Sequence, residues 1–282
     1  MKNVKKGDNV VRISHGKDII FEVKKIIKLN DRTKIAILKG ITERIEVDSD
    51  IRDLILLDKN TTQEKLSRFN QNLELKIEEK LKKQHKKEII SSRLKTEIST
   101  GKILHLDGDR KYSEKSLRYY QKMGLKAIVK NIPESKQPRV VYNLLKFYNP
   151  DILIITGHDG MFHKERGYND IYNYRNSRHF IETVKEARRY EKDFQNNIVI
   201  FAGACQSYFE ALIMAGANFA SSPARILIDF LDPLIIAEKV ATTDCYKYIT
   251  IGDIESDLRD GRRGVGGIGA NGKRKNGNVI LL

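Results

Sequence analysis

The second half of this 282-residue chain alternates short apolar segments with segments of helical periodicity, and this alternation limits the folds that it can adopt. The apolar segments lie at residues 102–106, 126–132, 151–156 and 197–201. Strands that are apolar on both faces are typical of a mostly parallel sheet covered by helices on both sides. We therefore expect an α/β domain over residues 99–282, with ligand chemistry at the carboxyl ends of its strands.

Residues 1–58 follow a different pattern, in which β-branched residues alternate with charged ones and turn residues separate the runs. This pattern predicts short strands, which lie at 8–13, 19–29, 34–39 and 44–47. Several short strands within about fifty residues fit a small SH3-like β-barrel. Such a barrel is either a docking or folding module or an RNA-binding module, and we favour the first.

A charged segment and a glycine-rich tail flank the predicted α/β region. Residues 59–98 contain neither Gly nor Pro, and their apolar residues recur at steps of three and four, which predicts a charged linker helix. The apolar stripe consists of Leu66, Phe69, Leu73, Ile77 and Leu81. Residues 259–277 hold seven glycines and six Arg or Lys residues, so we expect a mobile loop before a terminal strand at 279–282.

Composition excludes several classes of protein. The formal net charge of +15 favours acidic or polyanionic partners without choosing among them. Two cysteines, Cys205 and Cys245, are too few for a disulfide framework or a four-cysteine zinc site. No apolar run approaches the roughly 20 residues of a membrane helix, and no signal core follows the basic N-terminus, so we expect a cytoplasmic protein without a membrane span.

Two predicted strand ends carry the residue types that thiol catalysis needs. The strand at 151–156 runs into His158, and the strand at 197–201 runs into Cys205. Either residue alone would more often be structural, but at the ends of neighbouring strands both side chains would face one crevice. A thiol nucleophile needs a proton-transfer group, backbone donors for the oxyanion and partial access to solvent. The sequence therefore predicts a catalytic dyad of Cys205 and His158.

The residues around this dyad have supporting roles in the prediction. A helix is expected to begin near Ser207, and its N-terminus would favour the Cys205 thiolate. The oxyanion would be bound by the N–H of Cys205 and by the N–H of either Asp159 or Gly160. Small flanking residues, among them Gly203 and Ala204, would allow tight turns and close approach of a substrate backbone.

The pattern of His-x-Gly after one apolar block and Ala-Cys after the next, with Cys205 47 residues beyond His158, resembles the caspase-like cysteine peptidases. Four motifs, two of which contain His158 and Cys205, are similar to those of one family, the YabG sporulation-specific cysteine peptidases of spore-forming Firmicutes. They are Leu-Asp-Gly-Asp at 106–109, Ile-Thr-Gly-His-Asp-Gly at 155–160, Phe-Ala-Gly-Ala-Cys-Gln-Ser at 201–207 and Asp-Gly-Arg-Arg-Gly at 260–264.

This resemblance implies a caspase-like fold and a thiol endopeptidase that needs no cofactor and no metal. It further implies processing of spore coat and cortex-lytic precursor proteins, in the mother cell and the developing spore coat, with cleavage at arginine. Asp159 departs from the His-Gly pattern, which leaves the identity of the second oxyanion donor open. The arginines of the tail would then make residues 259–264 a candidate site of self-cleavage.

A preference for arginine would require a carboxylate in the specificity pocket, because a guanidinium binds well only to a paired acid. Asp229, Asp232 and Asp253 are candidates, although each also fits a turn or a helix cap, and the sequence does not choose between them. For Asp107 and Asp109 we favour a turn with capping carboxylates over a metal site or a phospho-acceptor pocket. His158 and His163 lack the further ligands that a metal centre needs.

Two other functions remain as alternatives. An amidotransferase-like hydrolase would have its His after the Cys, whereas no His follows Cys205. A non-enzymatic nucleic-acid- or ligand-binding protein, with an SH3-like barrel and a flavodoxin-like domain, would have no need for His158 and Cys205 together. We expect protein substrates and no nucleic acid partner, and we expect iodoacetamide to label Cys205 faster than Cys245.

Overall fold

The computed structural model describes residues 4–30, 33–91, 98–163 and 167–276, and it begins with a five-stranded antiparallel sheet. The strands are β1 Asn9–Arg12, β2 Phe21–Lys28, β3 Lys34–Gly40, β4 Glu46–Asp50 and β5 Leu54–Leu56, in the order β4-β3-β2-β1-β5. Alternate side chains such as Val23, Ala36 and Leu38 are fully buried on one face. We call residues 4–57 the N-terminal sheet. The four predicted strands are present, and the short β5 adds a fifth.

The predicted charged helix is present as α1, Lys59–Ser91. Of its apolar stripe, Leu73 and Ile77 are buried in the core of the following domain. Lys76 also forms an ion pair of 2.7 Å with Asp229. The helix therefore packs along the α/β domain instead of only linking two units. Within the described ranges, no helix combines the length and the apolar character needed to cross a membrane.

The α/β domain is built on a six-stranded sheet that is parallel except at one edge. The strands of the domain are β6 Ile98–Ser99, β7 Ile103–Asp107, β8 Ala127–Asn131, β9 Ile152–Thr156, β10 Val199–Ala202, β11 Phe219–Ser221, β12 Tyr248–Ile249, β13 Val265–Gly267, β14 Ala270–Asn271 and β15 Lys275–Asn276. The large sheet has the order β13-β11-β10-β9-β7-β8, and β6 with β15 and β12 with β14 form two small pairs. The four predicted strands are thus confirmed.

Helices cover both faces of this sheet, as the apolar strands predict. The helices are α2 Arg110–Lys122, α3 Gln137–Tyr148, α4 Ser177–Phe194, α5 Phe209–Met214 and α6 Asp232–Thr242. Alternation along β9 sends Ile152 and Ile154 to the side of α1, α2 and α6, and Leu153 and Ile155 to the side of α3, α4 and α5. Each face therefore has its own apolar core.

The described part of the glycine-rich tail, residues 259–276, contains a short 3-10 helix and three short strands, so the prediction of a loop is wrong for that part. Val265–Gly267 forms the antiparallel edge strand β13 against β11. A Cβ on Gly266 would lie 2.7 Å from the Phe209 ring, and one on Gly267 would lie 2.3 Å from the Asn218 carbonyl oxygen. These glycines permit close packing. The predicted terminal strand at 279–282 lies outside the described residues.

Candidate active site

Parallel pairing of β9 with β10 brings the two predicted strand ends together. Ile154 is in register with Phe201, and Ile155 with Ala202. The Gly203 N–H donates to the Ile155 carbonyl at 3.0 Å, so the pairing continues past the end of β10. His158 and Cys205 therefore follow adjacent strands at the carboxyl edge of the sheet, as the sequence predicts.

His158 is completely buried and held at two points. Its backbone N–H donates to Glu134 Oε1 at 2.8 Å, and its ring Nε2 lies 3.0 Å from the Gly40 carbonyl oxygen. Because a carbonyl only accepts hydrogen bonds, Nε2 carries the hydrogen, and Nδ1 has no partner within the described residues. Burial, reinforced by the charge of Lys39, lowers the pKa of His158 to about 3. The imidazole is therefore neutral, with a lone pair on Nδ1 that can accept a proton.

Cys205 is 0% exposed, which contradicts the prediction of a partly accessible thiol. Its Sγ accepts the N–H of Ile228 at 3.4 Å, and it lies in an apolar cluster with residues of the N-terminal sheet. Burial, with a smaller contribution from the nearby charge of Glu43, raises the pKa of the thiol to about 12. The expected stabilisation of a thiolate by a helix N-terminus is therefore absent here, because desolvation dominates. The helix α5 begins only at Phe209 and is six residues long.

His158 and Cys205 share neighbours. The ring centroid of Tyr112 lies 5.6 Å from that of His158, and the pKa of Tyr112 is raised mainly by burial and in part by the Cys205 charge. The charge of Arg44 acts to lower the pKa of both His158 and Cys205, although burial has the largest effect on each. Arg44 and Tyr112 are therefore neighbours that His158 and Cys205 share.

Asp159 braces the loops that follow β9 and β10. Its buried carboxylate accepts the hydroxyls of Ser177 at 2.5 Å and Ser207 at 2.8 Å, together with the N–H of Asn176 at 2.8 Å. Ser207 Oγ in turn accepts the Ala204 N–H at 2.9 Å. Burial raises the pKa of Asp159 to about 6, and these hydrogen bonds oppose the rise. The sequence did not predict this network.

The two candidate oxyanion amides differ in what they contact. The Gly160 N–H donates to Oδ1 of Asp159 at 2.9 Å and is therefore occupied. The Asp159 N–H donates to the carbonyl oxygen of Arg44 at 3.3 Å. Only the Asp159 amide thus faces a carbonyl of another segment, in the manner that an oxyanion donor faces a scissile carbonyl.

Gly203 and Ala204 fill a tight turn before Cys205. Gly203 has a φ of +111°, and a Cβ there would lie 2.3 Å from Ser221 Oγ. The same hydroxyl donates to the Ala204 carbonyl at 2.8 Å. Packing against β11 therefore requires glycine at position 203.

The three candidate specificity carboxylates are engaged elsewhere. Asp229 is paired with Lys76, and Asp232 accepts the N–H groups of Asp229 and Arg259 at 2.9 and 3.2 Å. Asp253 belongs to an exposed capping box with Thr250. Each serves as a turn, cap or ion-pair residue, the alternative that its sequence position also allowed.

Asp107 has a more specialised environment than the predicted turn. It ends β7, is completely buried, and lies 3.0 Å from Nη2 of Arg44. Asp109 does act as a cap, because its carboxylate accepts the N–H groups of Lys111 and Tyr112 at the start of α2. The Asp107–Arg44 pair could not be predicted from the sequence, since Arg44 lies in the distant N-terminal sheet.

Glu134 is a second residue that sequence reasoning missed. A Cβ on Gly108 or on Gly157 would lie within 2.3 Å of its carboxylate, so two glycine turns enclose it. Burial raises the pKa of Glu134 to about 7, and its bond from the His158 N–H opposes the rise. Glu134 therefore positions His158 through the hydrogen bond that it accepts from the His158 backbone N–H. In the described parts of the chain, no cluster of three or more His, Cys, Asp or Glu side chains is arranged to hold a metal ion.

Comparisons with known proteins agree on one family. The sequence model of the family described as YabG peptidase U57 matches residues 5–279. The chain is 38% identical over 278 residues to a protein of Bacillus subtilis (strain 168) named sporulation-specific protease YabG, and the match covers 94% of each chain. No solved structure matches.

Proposed function

This chain belongs to the YabG peptidase U57 family and is a sporulation-specific protease, and from that premise we propose that it cleaves peptide bonds with a Cys205–His158 dyad. The observation that carries the proposal is the parallel register of β9 and β10, which brings both strand ends to one edge of the sheet. Their common neighbours, Tyr112 and Arg44, support it further.

The chemistry proceeds through a thioester. Burial holds the pKa of Cys205 far above that of His158, so proton transfer requires solvent to reach the site first. Cys205 then gives its proton to the Nδ1 lone pair of His158, and the sulfur attacks the scissile carbonyl carbon. The N–H groups of Asp159 and Cys205 stabilise the oxyanion, and the loss of one such donor typically costs about 10²–10³ in rate. The imidazolium then protonates the leaving amine, and water hydrolyses the thioester to free the acid product and the thiol.

We also propose the substrates and the architecture that the resemblance implies. Spore coat and cortex-lytic precursor proteins are cut at arginine, in the mother cell and the developing coat. The net charge of +15 suits acidic protein partners. A caspase-like sheet is supported by five parallel strands with one antiparallel edge, and an SH3-like barrel by the five antiparallel strands of the N-terminal sheet.

The deciding experiment incubates the protein with a spore-coat extract and maps the new termini. We expect Cys205→Ala to abolish cleavage and to melt as the parent does. Cys245→Ala is the matched control, because Cys245 is a partly exposed thiol outside the strand ends, and it should retain activity. Full activity of Cys205→Ala would reject the assignment.

Self-cleavage within residues 259–264 is a separate proposal for the same enzyme. This segment includes a short 3-10 helix, Gly261–Arg263, in which Arg262 is exposed and paired with Glu255. Active protein and Cys205→Ala are incubated and their C-terminal masses compared. Truncation of the active protein alone is expected, and equal masses would contradict the proposal.

A further inference from the structure

The candidate active site is covered by a segment of the chain's own N-terminal sheet. Residues 41–45 join β3 to β4, and we call them the cover loop. Ile45 forms a parallel bridge with Asp159, in which the Asp159 N–H donates to the Arg44 carbonyl and the Glu46 N–H donates to the Asp159 carbonyl at 2.8 Å. An extended peptide that joins a sheet through its main chain makes hydrogen bonds of this kind. The cover loop therefore contacts the His158 loop as a bound peptide would.

The side chain of Arg44 fills a closed pocket beside this bridge. It is 1% exposed, its Nη2 lies 3.0 Å from Asp107 Oδ2, and its guanidinium lies 4.8 Å from the Tyr112 ring centroid and 5.4 Å from that of Phe230. A carboxylate at the end and aromatic rings on the sides are the groups that recognise a guanidinium. The pocket is therefore built for arginine.

A chain of hydrogen bonds orients the carboxylate of this pocket. Thr156 Oγ1 donates to Asp107 Oδ2 at 2.8 Å and lies 2.7 Å from Nε2 of His105, whose Nδ1 lies 3.1 Å from the Tyr120 hydroxyl. Burial raises the pKa of Asp107, and the charge of Arg44 opposes that rise. The carboxylate thus needs a cation, and the cover loop supplies it.

Arg44 is nevertheless poorly satisfied in the pocket. None of its three guanidinium nitrogens has a hydrogen-bond acceptor among the described residues, although one is in ion-pair contact with Asp107. A buried cation with few hydrogen bonds is costly, because its lost hydration is only partly replaced. The sheet is held in addition by ion pairs outside the pocket, from Arg175 to Glu46 at 3.3 Å and from Lys39 to Asp109 at 2.8 Å. A peptide whose arginine makes better hydrogen bonds in this pocket can therefore displace Arg44.

Resting on the proposed peptidase function, we propose that the cover loop is a built-in inhibitor and that its Arg44 occupies the pocket that selects arginine in substrates. Asp107 is then the specificity residue, with Tyr112 and Phe230 as the walls. Ile45 of the cover loop also belongs to the same apolar cluster as the sealed thiol of Cys205. Release of the loop opens the pocket and exposes the sulfur together.

The first test measures release by alkylation of the full-length protein. Iodoacetamide should label Cys245 before Cys205 in the parent, since Cys205 is sealed and Cys245 is partly exposed. This order is the reverse of the one expected from the sequence. Arg44→Ala empties the pocket. Arg175→Ala weakens the docking of the N-terminal sheet and leaves the residues of the pocket unchanged. We expect each to speed Cys205 labelling by at least about tenfold. Arg189→Ala, an exposed arginine of α4 paired with Glu186, should label as the parent does.

The second test measures specificity with fluorogenic peptides that carry Arg, Lys or Ala at the cleavage position. We expect Arg44→Ala to cleave the Arg peptide faster than the parent. In that background, Asp107→Asn should lose at least about 100-fold on the Arg peptide, because the substrate cation is left without its counter-charge. Asp253→Asn is the matched control and should retain the rate, since Asp253 is exposed in a capping box.

The outcomes separate the inhibitor from the enzyme. One outcome is that the parent cleaves peptides and that Arg44→Ala and Arg175→Ala label Cys205 at the parent's rate. This outcome would contradict the proposal of an inhibitory loop and would support the proposed peptidase function. If Asp107→Asn retains the preference for arginine, the proposal that this pocket selects arginine in substrates is wrong. Faster labelling of Cys205 with no cleavage by any variant would overturn the proposed function and, with it, the inhibitor. If Arg44→Ala lacks a cooperative melt, Arg175→Ala decides the labelling test and Asp107→Asn is made in its background.

Discussion

Gly203 carries two constraints, one on its backbone and one on the space beside it. Its φ is +111°, and a Cβ would lie 2.3 Å from Ser221 Oγ. Such a φ costs other residues about 1–3 kcal/mol, and overpacking costs about 1–3 kcal/mol more. We expect Gly203→Ala to lower the free energy of unfolding by about 3 kcal/mol in urea denaturation.

Gly124→Ala separates these two constraints. Gly124 has a φ of +64° and open space where a Cβ would lie, so only the backbone cost applies. We expect a loss of about 1 kcal/mol in the same measurement. Equal losses in the two variants would mean that Ser221 moves aside freely and that the turn before Cys205 is loosely packed.

Glu134 makes the stability of the chain depend on pH. Burial raises its pKa from 4.5 to about 7. The folded chain therefore holds a proton that the unfolded chain has released, and the stability present below about pH 4.5 is lost as the pH rises to about 7. Glu134→Gln keeps an acceptor for the His158 N–H and cannot ionise. Relative to the parent, it should gain on the order of 3 kcal/mol between about pH 5 and pH 8.

The measurement for Glu134→Gln is the free energy of unfolding against pH, with parent and variant compared at each value. Glu186→Gln, on the outer side of α4, is the control for removing a carboxylate from a chain with a net charge of +15. A constant difference between Glu134→Gln and the parent across this range would show that Glu134 does not hold the extra proton.

The positions in the fold that the sequence predicted correctly are those whose signal is local. His158 and Cys205 each follow an apolar strand directly, so their position at one sheet edge could be predicted from the strands alone. Asp107 looked like a turn residue because its partner, Arg44, is brought to it by tertiary packing. The burial of Cys205 was missed for the same reason, since residues distant in sequence seal it.

The helix α1 provides a test at the level of elements, because its apolar stripe is part of the α/β core. Leu73 and Ile77 are buried against that domain, whereas Leu75 on the same helix is 59% exposed. Truncation of a buried Leu or Ile to Ala typically costs about 2–5 kcal/mol. We expect Leu73→Ala and Ile77→Ala to lower the free energy of unfolding by at least about 2 kcal/mol in urea denaturation, and Leu75→Ala by less than about 0.5 kcal/mol.

Similar small losses in all three variants would return α1 to the role of a charged linker helix, as the sequence first indicated. The charge of this segment concealed its packing, because a long helix needs only a narrow stripe to dock. Strands such as β9 were easier to predict, since burial on both faces leaves an unbroken apolar run. The edge strand β13 was missed because its glycines serve close packing and resemble those of a loop.

At the scale of the whole molecule, the contact between the N-terminal sheet and the α/β domain combines buried and partly exposed charges. Arg44 and Asp107 are buried, whereas the pairs of Arg175 with Glu46 and Asp48 reach solvent. The screening length falls from about 10 Å at 0.1 M salt to about 3 Å at 1 M. Salt therefore weakens the outer pairs and leaves the buried pair nearly unchanged.

We accordingly expect Cys205 in the full-length parent to react with iodoacetamide several-fold faster at about 1 M than at about 0.1 M NaCl. Cys245 is the control for any general effect of salt on the reagent, and its labelling rate should be the same at both salt concentrations. Arg175→Ala already lacks the outer pairs, so its Cys205 rate should be higher at low salt and should change less with added salt. Equal salt dependence in the parent and Arg175→Ala would mean that these outer pairs do not hold the cover loop in place.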